Sequence, residues 1–200
     1  LSIMSKLSIL IFGTNQYYEP PQEIITKFIK THNVENFSQK RESSMSFSYQ
    51  LTSSDPTEIK LVFLKNLEKK YPICNEADAY VIFIDLECVD ALDKLNSIIT
   101  YIKEECSTET KSFVIGKYNS TDDKIKSLNY QTMNSHLQNK KIVFEYSETC
   151  TEPKKDFDYV IEKLLKSILE NKFRVKRNKD IEKLLDEEHD SDSNSGCFIF

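Results

Sequence analysis

The stretch Ala77-Asp-Ala-Tyr-Val-Ile-Phe-Ile-Asp85 decides the fold. It is a short apolar run rich in β-branched and aromatic residues, which predicts a strand buried on both faces. Residues 90–105 follow it with apolar residues at helical spacing. A buried strand that leads directly into an amphipathic helix is the repeating unit of a parallel sheet covered by helices.

The same alternation runs through most of the chain. Further strands are predicted at residues 6–12, 45–51, 58–64, 111–116 and 141–146, and further helices at residues 22–30, 121–136, 156–172 and 180–185. This order predicts an α/β fold with a six-stranded, mostly parallel sheet, helices on both faces, and residues 45–51 as one antiparallel edge strand in a hairpin with 58–64.

Ligands of such sheets bind at the carboxyl ends of the parallel strands. In this chain those ends are the loops after Phe12, Leu64, Asp85, Gly116 and Tyr146. The acidic residues around the end of the fourth strand, Asp85, Glu87, Asp90 and Asp93, are predicted to be a solvated helix start.

Length and composition indicate one domain and a tail. The chain has 200 residues and is 39% hydrophobic, which predicts a domain at residues 1–172 and a basic, then acidic tail at 173–200. The net charge of -5 argues against nucleic acid as a partner. Five cysteines and three histidines are scattered without the close spacing of metal ligands, so no metal site is predicted.

The last four residues, Cys197-Phe-Ile-Phe200, match a C-a-a-X box, which directs a prenyl group onto Cys197, and a terminal Phe favours geranylgeranyl. One lipid chain binds membranes weakly, so a second signal is expected. Five basic residues form the candidate: Lys172, Arg174, Lys176, Arg177 and Lys179. An ordinary solvated helix end is the alternative. The expected location is the cytoplasmic face of a membrane, in exchange with the cytosol.

The strand order, the tail box and three segments resemble the Ras-superfamily small GTPases, such as the Ras, Rho and Rab branches. The segments are residues 77–85, Phe144-Glu-Tyr-Ser-Glu-Thr149 and residues 58–71, and the resemblance covers residues 6–172. It implies a P-loop NTPase type of fold, binding of GTP and GDP with Mg²⁺, GTP hydrolysis, and a switching role in signalling or vesicle trafficking.

The phosphate-binding loop of that family reads G-x-x-x-x-G-K-[ST], and this chain departs from it. Counted from Gly13, the last three positions are Tyr18, Glu19 and Pro20. A bulky ring replaces the glycine that gives phosphate room, an acid replaces the lysine that neutralises it, and proline replaces the hydroxyl that binds Mg²⁺.

The second switch of the family, D-T-A-G-Q, falls on residues 64–68. Leu64 stands where the Mg²⁺-side Asp would be, Leu67 where the γ-phosphate glycine would be, and Glu68 where the water-orienting Gln would be. We therefore expect this chain to lack both protein ligands of the metal, the hydroxyl of the phosphate loop and the carboxylate of the second switch.

The guanine-reading motif N-K-x-D fits the chain in two ways. Asn119 and Asp122 keep the Asn and the Asp, with Ser147 as the serine of the last loop. Counted from Gly116 instead, the motif becomes Lys117-Tyr118-Asn119-Ser120 and has no Asp. Asp122 is alternatively a helix cap.

These departures predict a pseudoGTPase without catalytic residues, metal or nucleotide cofactor, which acts as a membrane-anchored module for protein effectors or complex subunits. One alternative is a divergent GTP-binding switch with weak hydrolysis, which would need GTP or GDP and Mg²⁺. The other is an unlipidated structural subunit of a complex.

Overall fold

A computed structural model describes residues 6–13, 25–26, 28–30, 32, 34–40, 44–50, 56–64, 67, 72–118, 128–140, 142–150 and 155–192. For residues 40, 72–73, 150, 155–157 and 178–192 it describes the backbone alone.

Seven strands and three α-helices form the described part of the chain. The strands are β1 Lys6–Gly13, β2 Glu35–Lys40, β3 Ser44–Tyr49, β4 Thr57–Leu64, β5 Ala79–Asp85, β6 Lys111–Tyr118 and β7 Phe144–Cys150. The helices are α1 Ala91–Glu105, α2 Tyr130–Gln138 and α3 Lys155–Asp192, with a 3₁₀ turn at Pro72–Asn75. Residues 25–26 and 28–30 are also helical.

All seven strands form one sheet in the order β2-β3-β4-β1-β5-β6-β7. The five strands from β4 to β7 in this order pair in parallel, whereas β2 pairs with β3 and β3 with β4 in antiparallel fashion. The α/β class and the hairpin of β3 and β4 are confirmed. The prediction of six strands with a single antiparallel edge strand is wrong, because β2 is a seventh strand that lies outside β3.

Strand β2 escaped prediction because its sequence, Glu35-Asn-Phe-Ser-Gln-Lys40, lacks the alternating apolar residues that mark a half-buried strand. Its described side chains are exposed. It joins the sheet through backbone hydrogen bonds to β3 and through side-chain contacts such as that between the Ser38 and Ser46 hydroxyls at 3.0 Å. Backbone pairing requires no particular side chain, so the sequence carries little trace of it.

The core lies in two layers, one on each face of the sheet. Alternate residues of β1 enter different layers: Ile9 and Ile11 pack with the helical segment at 25–30 and α3, and Leu10 and Phe12 pack with α1 and α2. Every residue of β5 is buried. Alternate residues of this strand therefore belong to the two layers, as expected of a strand covered on both faces.

Helix α3 is longer than predicted. The predicted helices at 156–172 and 180–185 are parts of the single helix Lys155–Asp192, and the predicted boundary between domain and tail falls inside it. Helix α2 begins at Tyr130, where the Asn129 side chain accepts a hydrogen bond from Thr132 N at 2.9 Å and so caps the helix. The predicted start at Thr121 lies outside the described residues.

Candidate functional site

The carboxyl ends of five parallel strands meet at one edge of the sheet. The terminal residues there are Gly13 of β1, Leu64 of β4, Asp85 of β5, Tyr118 of β6 and Cys150 of β7. Strands β6 and β7 extend past Gly116 and Tyr146, where the sequence predicted loops. The helical residues that follow β1 pack on the sheet face covered by α3, whereas α1, which follows β5, packs on the opposite face of the sheet. This reversal marks the usual ligand position of an open α/β sheet.

Three buried polar residues lie side by side at this edge. Asp85 is 4% exposed, Lys117 6% and Thr149 1%. Asp85 pairs in register with Lys117, and Lys117 pairs with Thr149. We call these three residues the strand-end row. By strand alternation they share the sheet face of Phe83 and Ile115, which pack on the α3 side.

The strand-end row places an acid beside a base where solvent is largely excluded. Adjacent strands are about 4.8 Å apart, so Asp85 and Lys117 are direct neighbours in the register of β5 and β6. The Asp85 carboxylate also accepts a hydrogen bond from Glu87 N at 2.9 Å. A buried polar group ordinarily needs such a hydrogen-bond partner. The predicted solvated helix start is therefore wrong for Asp85.

Farther along the same segment, Asp90 fits that prediction. It is exposed and pairs with Lys94 at 2.9 Å. The Cys88 thiol donates a hydrogen bond to its carboxylate at 3.0 Å, which together with Lys94 lowers the pKa of Asp90. The Asp90 carboxylate thus has both Cys88 and Lys94 as partners.

The predicted second-switch residues lie in the core of the α1 face. Leu64 is 6% exposed and belongs to the cluster with Leu86 and Leu95, and Leu67 is half-buried against the same cluster. An aliphatic side chain supplies no oxygen ligand for a metal ion. Glu68 lies outside the described residues.

The predicted phosphate-loop and base-side residues are described only in part. Gly13 ends β1, is exposed, and pairs in register with Phe83. Tyr18, Glu19, Pro20, Asn119 and Asp122 lie outside the described residues. Ser147 lies within β7 rather than in a loop after it. It lines a small cavity together with Val160, Lys163 and Leu164 of α3.

On the opposite face, Gly116 faces the side chain of Tyr146. A Cβ atom at Gly116 would lie 2.8 Å from the Tyr146 hydroxyl oxygen and 2.9 Å from Leu86 Cδ1. The Tyr146 hydroxyl donates to Glu148 Oε1 at 2.7 Å, and its ring lies 5.2 Å from that of Tyr130. Burial, followed by this contact with Glu148, raises the pKa of Tyr146, so the phenol stays protonated. Side chains therefore fill this part of the edge.

The basic residues of α3 divide into two groups. Lys172 pairs with Asp78 at 2.9 Å and also donates to the Lys6 carbonyl, which fixes the helix to the amino edge of the sheet. Arg174, Lys176 and Arg177 are exposed, and Arg174 donates to Asn171 Oδ1 at 3.0 Å. Lys179 and Cys197 carry no described side chain.

The sequence placed Lys117 in one version of the guanine-reading motif and Thr149 in the segment 144–149, but it did not predict that either residue lies buried beside Asp85. A lysine after an apolar run ordinarily marks the end of a strand, and only the pairing with β5 and β7 shows that Lys117 is buried. Among the described residues, no group of three or more acidic, His or Cys side chains is arranged to hold a metal ion. The described helices include none that is long and apolar enough to cross a membrane.

No protein-family model matches the chain, and no curated protein matches it either.

Proposed function

We propose that this chain is a Ras-like protein that has lost guanine-nucleotide binding and acts as a membrane-anchored protein-interaction module in signalling or vesicle trafficking. The mixed sheet supports the resemblance in outline, because β1, β4, β5, β6 and β7 form its parallel part and β3 returns as a hairpin. A fold alone does not establish activity, so the proposal rests on the site.

The observation that carries the proposal is the burial of Leu64 at the carboxyl end of β4. In the resembling family this position holds the acid on the Mg²⁺ side, whereas Leu64 is packed in the α1-side core. The position thus contributes to stability instead of ligating a metal. An Mg²⁺ ion bound to phosphates ordinarily needs one or two protein carboxylates or hydroxyls, and Pro20 removes the hydroxyl as well.

The phosphate side of the site is also unfavourable in charge. Glu19 stands where the family has lysine. At an effective dielectric near 20, exchanging a cation for an anion at about 4 Å from a phosphate charge weakens the interaction by several kcal/mol. That difference corresponds to several powers of ten in affinity.

The part of the site that would bind the guanine base also supports the loss of nucleotide binding, when the N-K-x-D motif is counted from Gly116. Lys117 then occupies the position of the base-reading Asn, and it is buried between Asp85 and Thr149 in the sheet. An ammonium group only donates hydrogen bonds, whereas an amide side chain both donates and accepts. A buried lysine at this position therefore does not supply the acceptor and donor pair with which an amide reads guanine.

Nucleotide analysis of the purified full chain tests the proposal. The protein is denatured, and the released nucleotide is quantified by chromatography beside a functional small GTPase prepared in parallel. We expect no stoichiometric GDP or GTP, and a single-turnover hydrolysis rate equal to that of buffer with Mg²⁺. Stoichiometric nucleotide would overturn the proposal in favour of a divergent GTP-binding switch.

A further inference from the structure

Helix α3 continues well past the last contact with the sheet that its described side chains make. Its buried face, Ile161, Leu164, Leu165 and Ile168, packs on the sheet, and Lys172 then reaches Asp78 at the amino edge. From Phe173 to Arg177 every side chain is exposed. The backbone remains helical to Asp192, and at 1.5 Å per residue this extension is about 30 Å long.

The extension is divided by charge. Residues 173–179, which we call the basic half, contain no acidic residue; their basic residues are Arg174, Lys176, Arg177 and Lys179. Residues 180–192, which we call the acidic half, contain a single lysine, Lys183; the acids are Asp180, Glu182, Asp186, Glu187, Glu188, Asp190 and Asp192. Acids near a helix carboxyl end oppose the helix dipole, and like charges one turn apart repel each other. This half of the helix therefore gains stability from a cationic partner.

We infer that the partner is a second copy of this chain, whose extension pairs with the first in antiparallel orientation. With the two-fold axis near residues 181 and 182, Lys176 lies level with Glu187 of the second copy, and Arg177 lies level with Asp186. Symmetry repeats both pairs. The basic half of each helix thus faces the acidic half of the other, which is the self-complementary arrangement of a two-fold interface.

Apolar residues accompany this charge pattern. Ile181, Leu184 and Leu185 occur close to the two-fold axis in sequence. Phe173 is 49% exposed and Val175 43%, an apolar surface that the sheet does not cover. A helix without its own core face becomes stable mainly by burying apolar residues against a partner.

An anionic membrane complements the charges of the extension less completely than a second copy does. Anionic lipid would attract the basic half and repel the acidic half, which has more charges. A second copy satisfies both halves at once. The inference is independent of nucleotide binding and of lipid, so it is tested with the unlipidated full chain.

The test is sedimentation equilibrium of the wild type and two variants over a series of protein concentrations. The wild type is expected to dimerise, more weakly at high salt. The variant Lys176→Glu with Arg177→Glu and the variant Asp186→Lys with Glu187→Lys are each expected to dimerise at least tenfold more weakly. An equimolar mixture of the two variants is expected to form a heterodimer, because each acidic half then meets a basic half.

The matched control is Lys103→Glu with Glu104→Lys on α1, where both side chains are exposed and far along the chain from the extension. It should dimerise like the wild type. Circular dichroism checks that each variant is folded. A wild type that stays monomeric, or a mixture that fails to associate, overturns the inference. Loss of binding to anionic vesicles without any change in self-association assigns the basic half to lipid instead and also overturns it.

Discussion

Gly116 occupies a position on β6 that has no room for a side chain. Because the Tyr146 hydroxyl and Leu86 would lie within 3 Å of an added Cβ, we expect Gly116→Ala to lower the free energy of unfolding by about 1–3 kcal/mol, the usual cost of overpacking a core. Chemical denaturation measures the change. Combining it with Tyr146→Phe should recover part of the loss, since one of the clashing atoms is then absent. A neutral Gly116→Ala would contradict this packing.

The residues of the predicted phosphate loop provide a second prediction at this scale. The triple variant Tyr18→Gly, Glu19→Lys, Pro20→Ser restores the family's loop residues. We nevertheless expect no tight GTP binding, because Leu64 is buried and Leu67 is half-buried in the core, and neither supplies a metal ligand or a free glycine N–H. Titration with a fluorescent GTP analogue and Mg²⁺ is the measurement. Nanomolar affinity would show that the second switch does not limit binding.

At the scale of elements, α1 and α2 are joined by a small polar network. His136 Nε2 donates to Asn96 Oδ1 at 2.9 Å, and Lys140 donates to the same oxygen at 2.8 Å. Partial burial and the nearby Lys140 lower the pKa of His136. The unfolded chain then binds more protons than the folded one below an ordinary histidine pKa of about 6.5, so acid removes stability through this residue.

The variant His136→Gln tests this linkage, because an amide can still donate to Asn96 but does not titrate. We expect the wild type to lose stability relative to the variant as the pH falls from about 7 through the lowered pKa of His136. Urea denaturation at a series of pH values gives the difference. A difference that does not change with pH would contradict the linkage.

Lys172 anchors α3 to the sheet, so its role differs from the membrane role predicted for the basic residues of this helix. Its ammonium contacts Asp78, which also accepts from Ser8 N at 2.8 Å, so the helix is tied to β1. We expect Lys172→Met to lower the free energy of unfolding by about 1 kcal/mol, since a partly exposed pair contributes modestly. The control Lys166→Met, at an exposed position of the same helix, should change it by less than about 0.5 kcal/mol. Equal effects of the two would remove the anchoring role.

At the scale of the whole molecule, we expect the predicted lipid on Cys197 to decide where the protein resides. Each buried CH₂ contributes about 0.8 kcal/mol, so a geranylgeranyl chain gives reversible anchoring. We expect Cys197→Ser to move an N-terminally tagged protein from membranes into the cytosol, with Cys88→Ser as the control thiol. Unchanged localisation of Cys197→Ser would favour the unlipidated structural subunit.

The periodicity of apolar residues was sufficient to predict the α/β class, the parallel core strands and the β3–β4 hairpin. Burial of apolar side chains dominates the free energy of folding, and it leaves its period in the sequence. The run at 77–85 is the clearest case, since every residue of β5 is buried. The departure of the candidate phosphate loop from the family motif is likewise visible in the sequence, because it depends only on which residue types occupy the loop.

The tertiary structure alone decided the features that depend on backbone pairing and on neighbours distant in sequence. Strand β2 is polar and is recognised only by its hydrogen bonds to β3. Lys117 became a buried member of the strand-end row because β6 continues between β5 and β7, and its neighbours Asp85 and Thr149 lie about thirty residues away on either side. Lys172 similarly acquired Asp78 as a partner only when α3 packed across the sheet. Charge and hydrogen-bond partners across such separations have no local period, so no pattern in the sequence records them.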